Sequence, residues 1–300
     1  MIVNNSENSV EGEATNTQVA ETADASRAGE SKNEIVTEHT LFAEPIGHIG
    51  SFPVTNSLLN SWLVVLIVII FGLAIRNKIK LIPRGLQNGL EMVVEAFLNV
   101  FDGVTGSRAK SLKFAPLVLS FFFFVLLNNW LGTSPGVGSI GQVVQHGHEK
   151  IFIPFFRGGT ADLNTTLALA IIGVVASHIF GVMTLGLWNH FNKFINLKAF
   201  LEIPKKIRKD PMIIFVNPIK AFVGLIEVVG EVAKVASLSF RLFGNIFAGE
   251  VLLASMSAIM AWGMPIPFMF LEVIVGLIQA LIFAILILIY LTINTTAEEH

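Results

Sequence analysis

The sequence has no cysteine in 300 residues, which excludes disulfides, thiolate nucleophiles and cysteine-held iron–sulfur clusters. It is also poor in charge. Asp, Glu, Lys and Arg make up 14% of the chain against 53% hydrophobic residues, where a soluble domain carries about 25% charged residues. Most of the chain is therefore built to sit in a lipid bilayer, and a soluble enzyme is excluded. A formal net charge of -2 offers no field for a polyanion, so no nucleic-acid partner is expected. Neither a G-x-x-x-x-G-K-[ST] loop nor a G-x-G-x-x-G fingerprint occurs, so the chain itself is not expected to bind nucleotide. His146, His148 and Glu149 lie close together but read as a solvated loop, and no metal or cofactor is expected. No repeat of fixed period is present.

What charge there is lies unevenly. Residues 1–47 hold nine acids against two bases, Arg27 and Lys32. Residues 1–41 have too few large apolar side chains to offset their ordering entropy, and they read as a disordered acidic tail. The tail lacks the cationic start and apolar core of a signal peptide. Residues 42–300 form the membrane domain. Within it, apolar runs at 57–75, 114–131, 163–188 and 266–293 approach or exceed the ~20 residues a spanning helix needs. A fifth helical region, 211–260, would extend roughly 75 Å at 1.5 Å per residue, against a ~30 Å hydrocarbon core. It must tilt strongly, break, or run partly along the surface.

Between the first two spans, Leu86, Leu90, Val93, Val94, Phe97, Phe101 and Val104 share one helical face, while Asn88, Glu91, Glu95, Asn99 and Asp102 share the other. This segment is expected to lie in the interface, with packing against protein as the rival, because its polar face is acidic. The predicted fold is an all-α integral membrane protein with five transmembrane helices and one interfacial amphipathic helix. Its last two helices are long and tilted as an antiparallel hairpin. Basic residues cluster at 76–84, 108–113 and 193–209, which assigns those loops to the cytoplasm. In the loop 132–162, Lys150 and Arg157 are balanced by Glu149 and Asp162, which suits the outside. The N-terminus is then outside and the C-terminus cytoplasmic.

The chemistry lies in the last two helices. Arg241 falls inside the fifth apolar region, where an arginine costs at least ~2.5–3.5 kcal/mol to insert. In the final helix, Glu272 and Gln279 are the strongly polar side chains between Pro267 and Tyr290. Partners in an antiparallel hairpin share a midpoint: Arg241 and Gln279 centre on 260, and Glu250 and Glu272 on 261. Two polar levels are predicted, roughly 13 Å apart along the axis. Asn245 falls near the Arg241 face, whereas Glu250 falls about 180° away. Glu227, Glu231 and Lys234 continue the Arg241 stripe toward the cytoplasm. Gly244 and Ala248 suit close helix packing, Asn128 and Asn129 suit interhelical hydrogen bonding, and His178 reads as a satisfied packing residue. A static Arg–Glu pair fits two levels on opposite faces badly. These residues suit ion passage, with an ion-coupled secondary transporter and a purely structural anchor as alternatives.

The stretch Arg241-Leu242-Phe243-Gly244-Asn245-Ile246-Phe247-Ala248-Gly249-Glu250 resembles the subunit a family of the bacterial F-type ATP synthases, the stators of the membrane-sector proton channel. The likeness continues through Ile278-Gln279-Ala280 and Tyr290-Leu291. It runs back, less strongly, through His48-Ile49-Gly50 and 55–62, so it covers about residues 42–300. It implies a non-catalytic subunit of the bacterial plasma membrane with two proton half-channels. The implied partners are a c-subunit ring, b-type peripheral stalk subunits and the other subunits of the complex. Arg241 resembles the essential arginine facing the ring, with Asn245 and Gln279 near it. Glu250 resembles the polar residue of the outward half-channel, and Asp162 and Asn164 resemble polar residues at its outer mouth. Many members carry a histidine on the last helix opposite the channel glutamate; this chain has Glu272 there.

Overall fold

Inside hydrocarbon every main-chain N–H and C=O must be satisfied within the protein, and an apolar run does this as a helix. A computed structural model of the protein describes residues 35–36, 40–76, 80, 85–134, 136–146, 149–188, 190, 213–260 and 263–296. Five helices are long and apolar enough to cross a membrane. They are α1 (Asn56–Arg76), α3 (Arg108–Thr133), α4 (Leu163–Leu185), α5 (Ile213–Ile259) and α6 (Pro265–Thr295). Helix α2 (Leu86–Thr105) is the amphipathic one.

Helix α6 is the axis of the core. Ile287, Leu288 and Leu291 are fully buried, and small Ala280 and Ala284, one to two turns earlier, let neighbours approach. Helices α3, α4 and α5 all pack on it. Gly173 of α4 lies where a Cβ would meet the end of the Ile287 side chain, so glycine lets that side chain pack directly on the α4 backbone. Helix α2 joins through Phe97, whose ring lies 4.6 Å from that of Phe122, and through Phe101, which is fully buried. It therefore packs against protein. Its buried face is turned slightly from the expected one: Leu98 is covered and Val93 is exposed. Helix α1 sits at the edge, with an almost wholly exposed apolar surface from Leu63 to Leu73 suited to lipid.

Helix α5 has 47 residues and reaches about 70 Å, so it exceeds a single upright crossing. Leu238, Leu242 and Ile246 face inward at four-residue spacing, while Ser237, Phe240, Arg241, Gly244, Asn245 and Ala248 are exposed. A turn at Gly263 (φ 95°) leads into α6, whose first residue is Pro265, where a missing N–H costs nothing.

Two small β additions accompany the helices. Strands β2 (Pro45–Ile49) and β3 (Phe52–Thr55) form an antiparallel hairpin that leads into α1. Strands β4 (Gly141–His146) and β5 (Glu149–Pro154) form a second hairpin, and β1 (Ile35–Val36) pairs parallel to β5. Within the expected tail, residues 35–36 are thus paired, and Leu41 accepts a hydrogen bond from Leu163 N–H. The rest of that expectation, residues 1–34 and 37–39, lies outside the described residues, as does the basic loop at 191–212.

Candidate ion-translocation site

The first of the two polar levels is built on Arg241. Its side chain is exposed on the outward face of α5, and its Nη2 lies 3.5 Å from Ser237 Oγ one turn away. It makes no ion pair with a carboxylate among the described residues. From the opposite side, Gln279 Nε2 donates to the Arg241 main-chain carbonyl at 2.6 Å. The glutamine thus holds the helix and leaves the guanidinium free of it. Asn245 is exposed one turn further on, and a Cβ on Gly244 would meet nothing within 4 Å. The outward face is a smooth strip with one cation on it.

The second level faces the other way. Glu250 Oε2 accepts from Arg157 Nε at 3.0 Å and lies 2.9 Å from Arg157 Nη2. Glu272 comes from α6 and is 8% exposed, with its Oε1 buried and unpartnered among the described residues. Its carboxyl lies against the backbone of Gly249, where any Cβ would overlap it. Glycine at 249 thus makes room for the second acid. A cavity of about 750 Å³ opens beside Glu250 and Arg157, lined also by Glu44, Asn56, Ser255 and Ser257.

Arg157 was read from the sequence as one of several balanced loop charges, and the structure corrects that. Its side chain is 9% exposed, and the loop that carries it packs tightly on the end of α3. A Cβ on Gly132 would come within 2.6 Å of Gly158 Cα. The local signal was an arginine set between two phenylalanines and two glycines at 155–159, a composition suited to burial rather than to a solvated loop.

Asp162 is a structural tie. It caps α4 by accepting from Asn164 N–H at 3.2 Å and Thr165 Oγ1 at 2.9 Å. It also takes hydrogen bonds from Ala43 N–H and Ser57 Oγ, each at 3.2 Å. The Asn164 side chain is exposed. Asn128 and Asn129 join elements as expected: Asn60 Nδ2 and Ser61 Oγ lie 3.3 Å from Asn128 Oδ1, and Asn129 Nδ2 donates to Gly276 O at 3.0 Å.

Toward the other end of α5, Glu231 Oε1 lies 2.6 Å from Lys234 Nζ and Glu231 Oε2 lies 3.3 Å from His178 Nε2. His178 Nδ1 is 3.1 Å from His190 Nε2. The expectation that His178 merely packs is corrected: it joins a polar cluster spanning α4 and α5. No spacing in the sequence connects these residues, because their proximity depends on how α4 crosses α5. Glu227 and Glu231 are half-buried on the same helix. No group of three or more metal-ligating side chains occurs among the described residues.

The family described as ATP synthase A chain matches residues 58–292. The chain is 29% identical over 248 residues to ATP synthase subunit a of Moorella thermoacetica, covering 82% of this chain and 93% of that protein. It is 30% identical over 238 residues to ATP synthase subunit a of Campylobacter concisus, covering 79% and 88%. To the chloroplastic ATP synthase subunit a of Stigeoclonium helveticum it is 32% identical over 243 residues, covering 81% and 85%. With a match that runs from the start of α1 almost to the end of α6, the chain belongs to the ATP synthase A chain family.

Proposed function

We propose that Arg241 is the fixed cation past which the carboxyls of a partner rotor must move, and that the two polar levels belong to two separate proton half-channels. As a member of its family the chain is the proton-channel stator of the ATP synthase membrane sector. The observation that carries the arginine's role is its placement: a guanidinium inside a spanning helix, on an exposed face, with no internal carboxylate partner among the described residues. Such a charge is costly in hydrocarbon and requires a partner from outside the chain.

The rotor is read as a ring of c subunits docked on the smooth strip around Gly244 and Ala248. A rotor carboxyl arriving from lipid carries its proton, because burial disfavours the charged form. At ~4 Å from a guanidinium and an effective dielectric near 20, the attraction is about 4 kcal/mol. That changes proton affinity about a thousandfold and favours release. Arginine keeps its charge when buried, whereas lysine can lose it. The same fixed charge repels a proton that would pass directly between the half-channels.

Protons are taken up from outside through the cavity beside Glu250, pass Glu250 and Glu272, and neutralise a rotor carboxylate. They leave on the cytoplasmic side, past Glu231, after nearly a full rotation. The basic loops favour an orientation with the N-terminus outside and the C-terminus in the cytoplasm, and the membrane is read as the bacterial plasma membrane. The peripheral stalk and remaining subunits hold the chain still. In the intact complex, Arg241→Lys and Arg241→Ala are expected to abolish proton-coupled ATP synthesis while leaving subunit content unchanged. Normal synthesis by either variant overturns the assignment.

A further inference from the structure

The mouth beside Glu250 contains two carboxyls at one depth and a single close cation. Arg157 satisfies Glu250 through Nε at 3.0 Å and Nη2 at 2.9 Å, and Glu272 has no comparable partner. The guanidinium offsets one negative charge. The second carboxyl is uncompensated unless it holds a proton, since burying an unpaired charge is prohibitive. One cation thus fixes a site that carries one exchangeable proton over two acids. Glu44, a further acid, also lines the cavity, and Asp162 is engaged as the α4 cap and by Ala43 and Ser57; among the described residues Arg157 is the cation that pairs with Glu250.

The arginine is itself held from the far side. Nη2 donates to Thr40 O at 3.0 Å and Nη1 to Phe42 O at 3.4 Å. Residues 40–43 are anchored in turn: Ala43 N–H donates to Asp162 Oδ1 and Leu163 N–H to Leu41 O. A guanidinium has five donors in a rigid plane, so two backbone carbonyls and one carboxylate fix its direction as well as its position. Lysine has no such plane.

We propose that Arg157 is a positioning residue for proton uptake: held by the strap at residues 40–43, it orients Glu250 and keeps it charged, so that the Glu250 and Glu272 pair passes protons one at a time. This rests on the reading of Glu250 as part of the uptake half-channel. It adds to that reading a residue from the loop after β5, and it gives a segment ahead of the membrane domain a role at the channel mouth.

The test is a double-mutant cycle in the purified intact complex reconstituted in liposomes, reading passive proton conduction and its dependence on uptake-side pH. Arg157→Gln is expected to lower conduction at least tenfold and to move the pH midpoint, and Arg157→Lys to restore the midpoint but only part of the rate. The double variant Arg157→Gln with Glu250→Gln should conduct no worse than Glu250→Gln alone, because the arginine acts through that carboxylate. If Arg157→Gln does not assemble, the last comparison still decides, since both of its members are neutral at 250. Losses that multiply, or wild-type conduction by Arg157→Gln, overturn the proposal. Arg241→Ala run alongside separates the two readings. If it blocks ATP synthesis while the Arg157 variants behave as wild type, only this inference falls.

Discussion

Gln279 on α6 and Arg241 on α5 meet through the arginine's main chain: the glutamine amide bonds its carbonyl at 2.6 Å while the guanidinium lies on the opposite, exposed surface. One residue therefore sets the height and rotation of α5 at the point where its charge must meet the rotor. Removing a hydrogen bond of this kind costs about 0.5–1.5 kcal/mol. Gln279→Leu is expected to assemble normally and to reduce ATP-driven proton pumping about three- to tenfold, since 1.4 kcal/mol is a factor of ten. Unchanged pumping would show that the rotor tolerates a loosely held arginine.

The two glycines of the 241–250 stretch have opposite sensitivities. At Gly249 a methyl group would overlap the Glu272 carboxyl, so Gly249→Ala should disturb this chain directly and cut pumping at least tenfold. Adding Glu272→Ala should relieve the overlap and restore subunit content without restoring pumping. At Gly244 a methyl group meets nothing within 4 Å. Gly244→Leu should therefore leave the chain's own fold intact and fail only where the rotor docks. Comparing membrane insertion of the chain alone with recovery of the assembled complex separates the two variants. Equal damage to both measures by Gly244→Leu would refute a docked face.

Acid should loosen the attachment of α2. Asp102 pairs with Arg108 Nη1 at 2.8 Å. The nearby Ser111 hydroxyl, followed by the Arg108 guanidinium, holds its carboxyl below the usual carboxylate range. The folded chain thus binds this proton more weakly than the unfolded chain. The stabilisation is complete above the ordinary carboxylate value and fades as pH falls through the lowered one. Asp102→Asn should be slightly less stable than the parent near neutrality, with the two thermal unfolding curves converging in acid. Added salt should narrow the gap at neutral pH, because the pair is solvent-exposed. A gap that widens on acidification would contradict the pairing.

Much of this arrangement was legible because lipid imposes simple rules. Long apolar runs marked the spanning helices, and the shared midpoints of 241 with 279 and 250 with 272 anticipated two levels, since a hairpin's register follows from its turn. The short β-branched and aromatic runs Val143-Val144 and Ile151-Phe152-Ile153 on either side of His146–Glu149 carried a hairpin signal that was outweighed by the helical surroundings. Arg157 and His178 were misread for a different reason. Each acquires its meaning from a residue more than fifty positions away in sequence, and no periodicity reports where a loop or a crossing helix will land. The spacing of Asp162 to Asn164 suited a cap as well as a channel mouth, and its tie to Ala43 is likewise non-local.

The uncovered strip on α5 also has a consequence for biogenesis. A copy inserted without its rotor leaves the Arg241 charge facing acyl chains, a penalty of at least ~2.5–3.5 kcal/mol that docking of an acidic neighbour would remove. That same side chain gives the orphan subunit a thermodynamic reason to find its complex, so the group proposed to drive turnover would also help to drive construction of the machine.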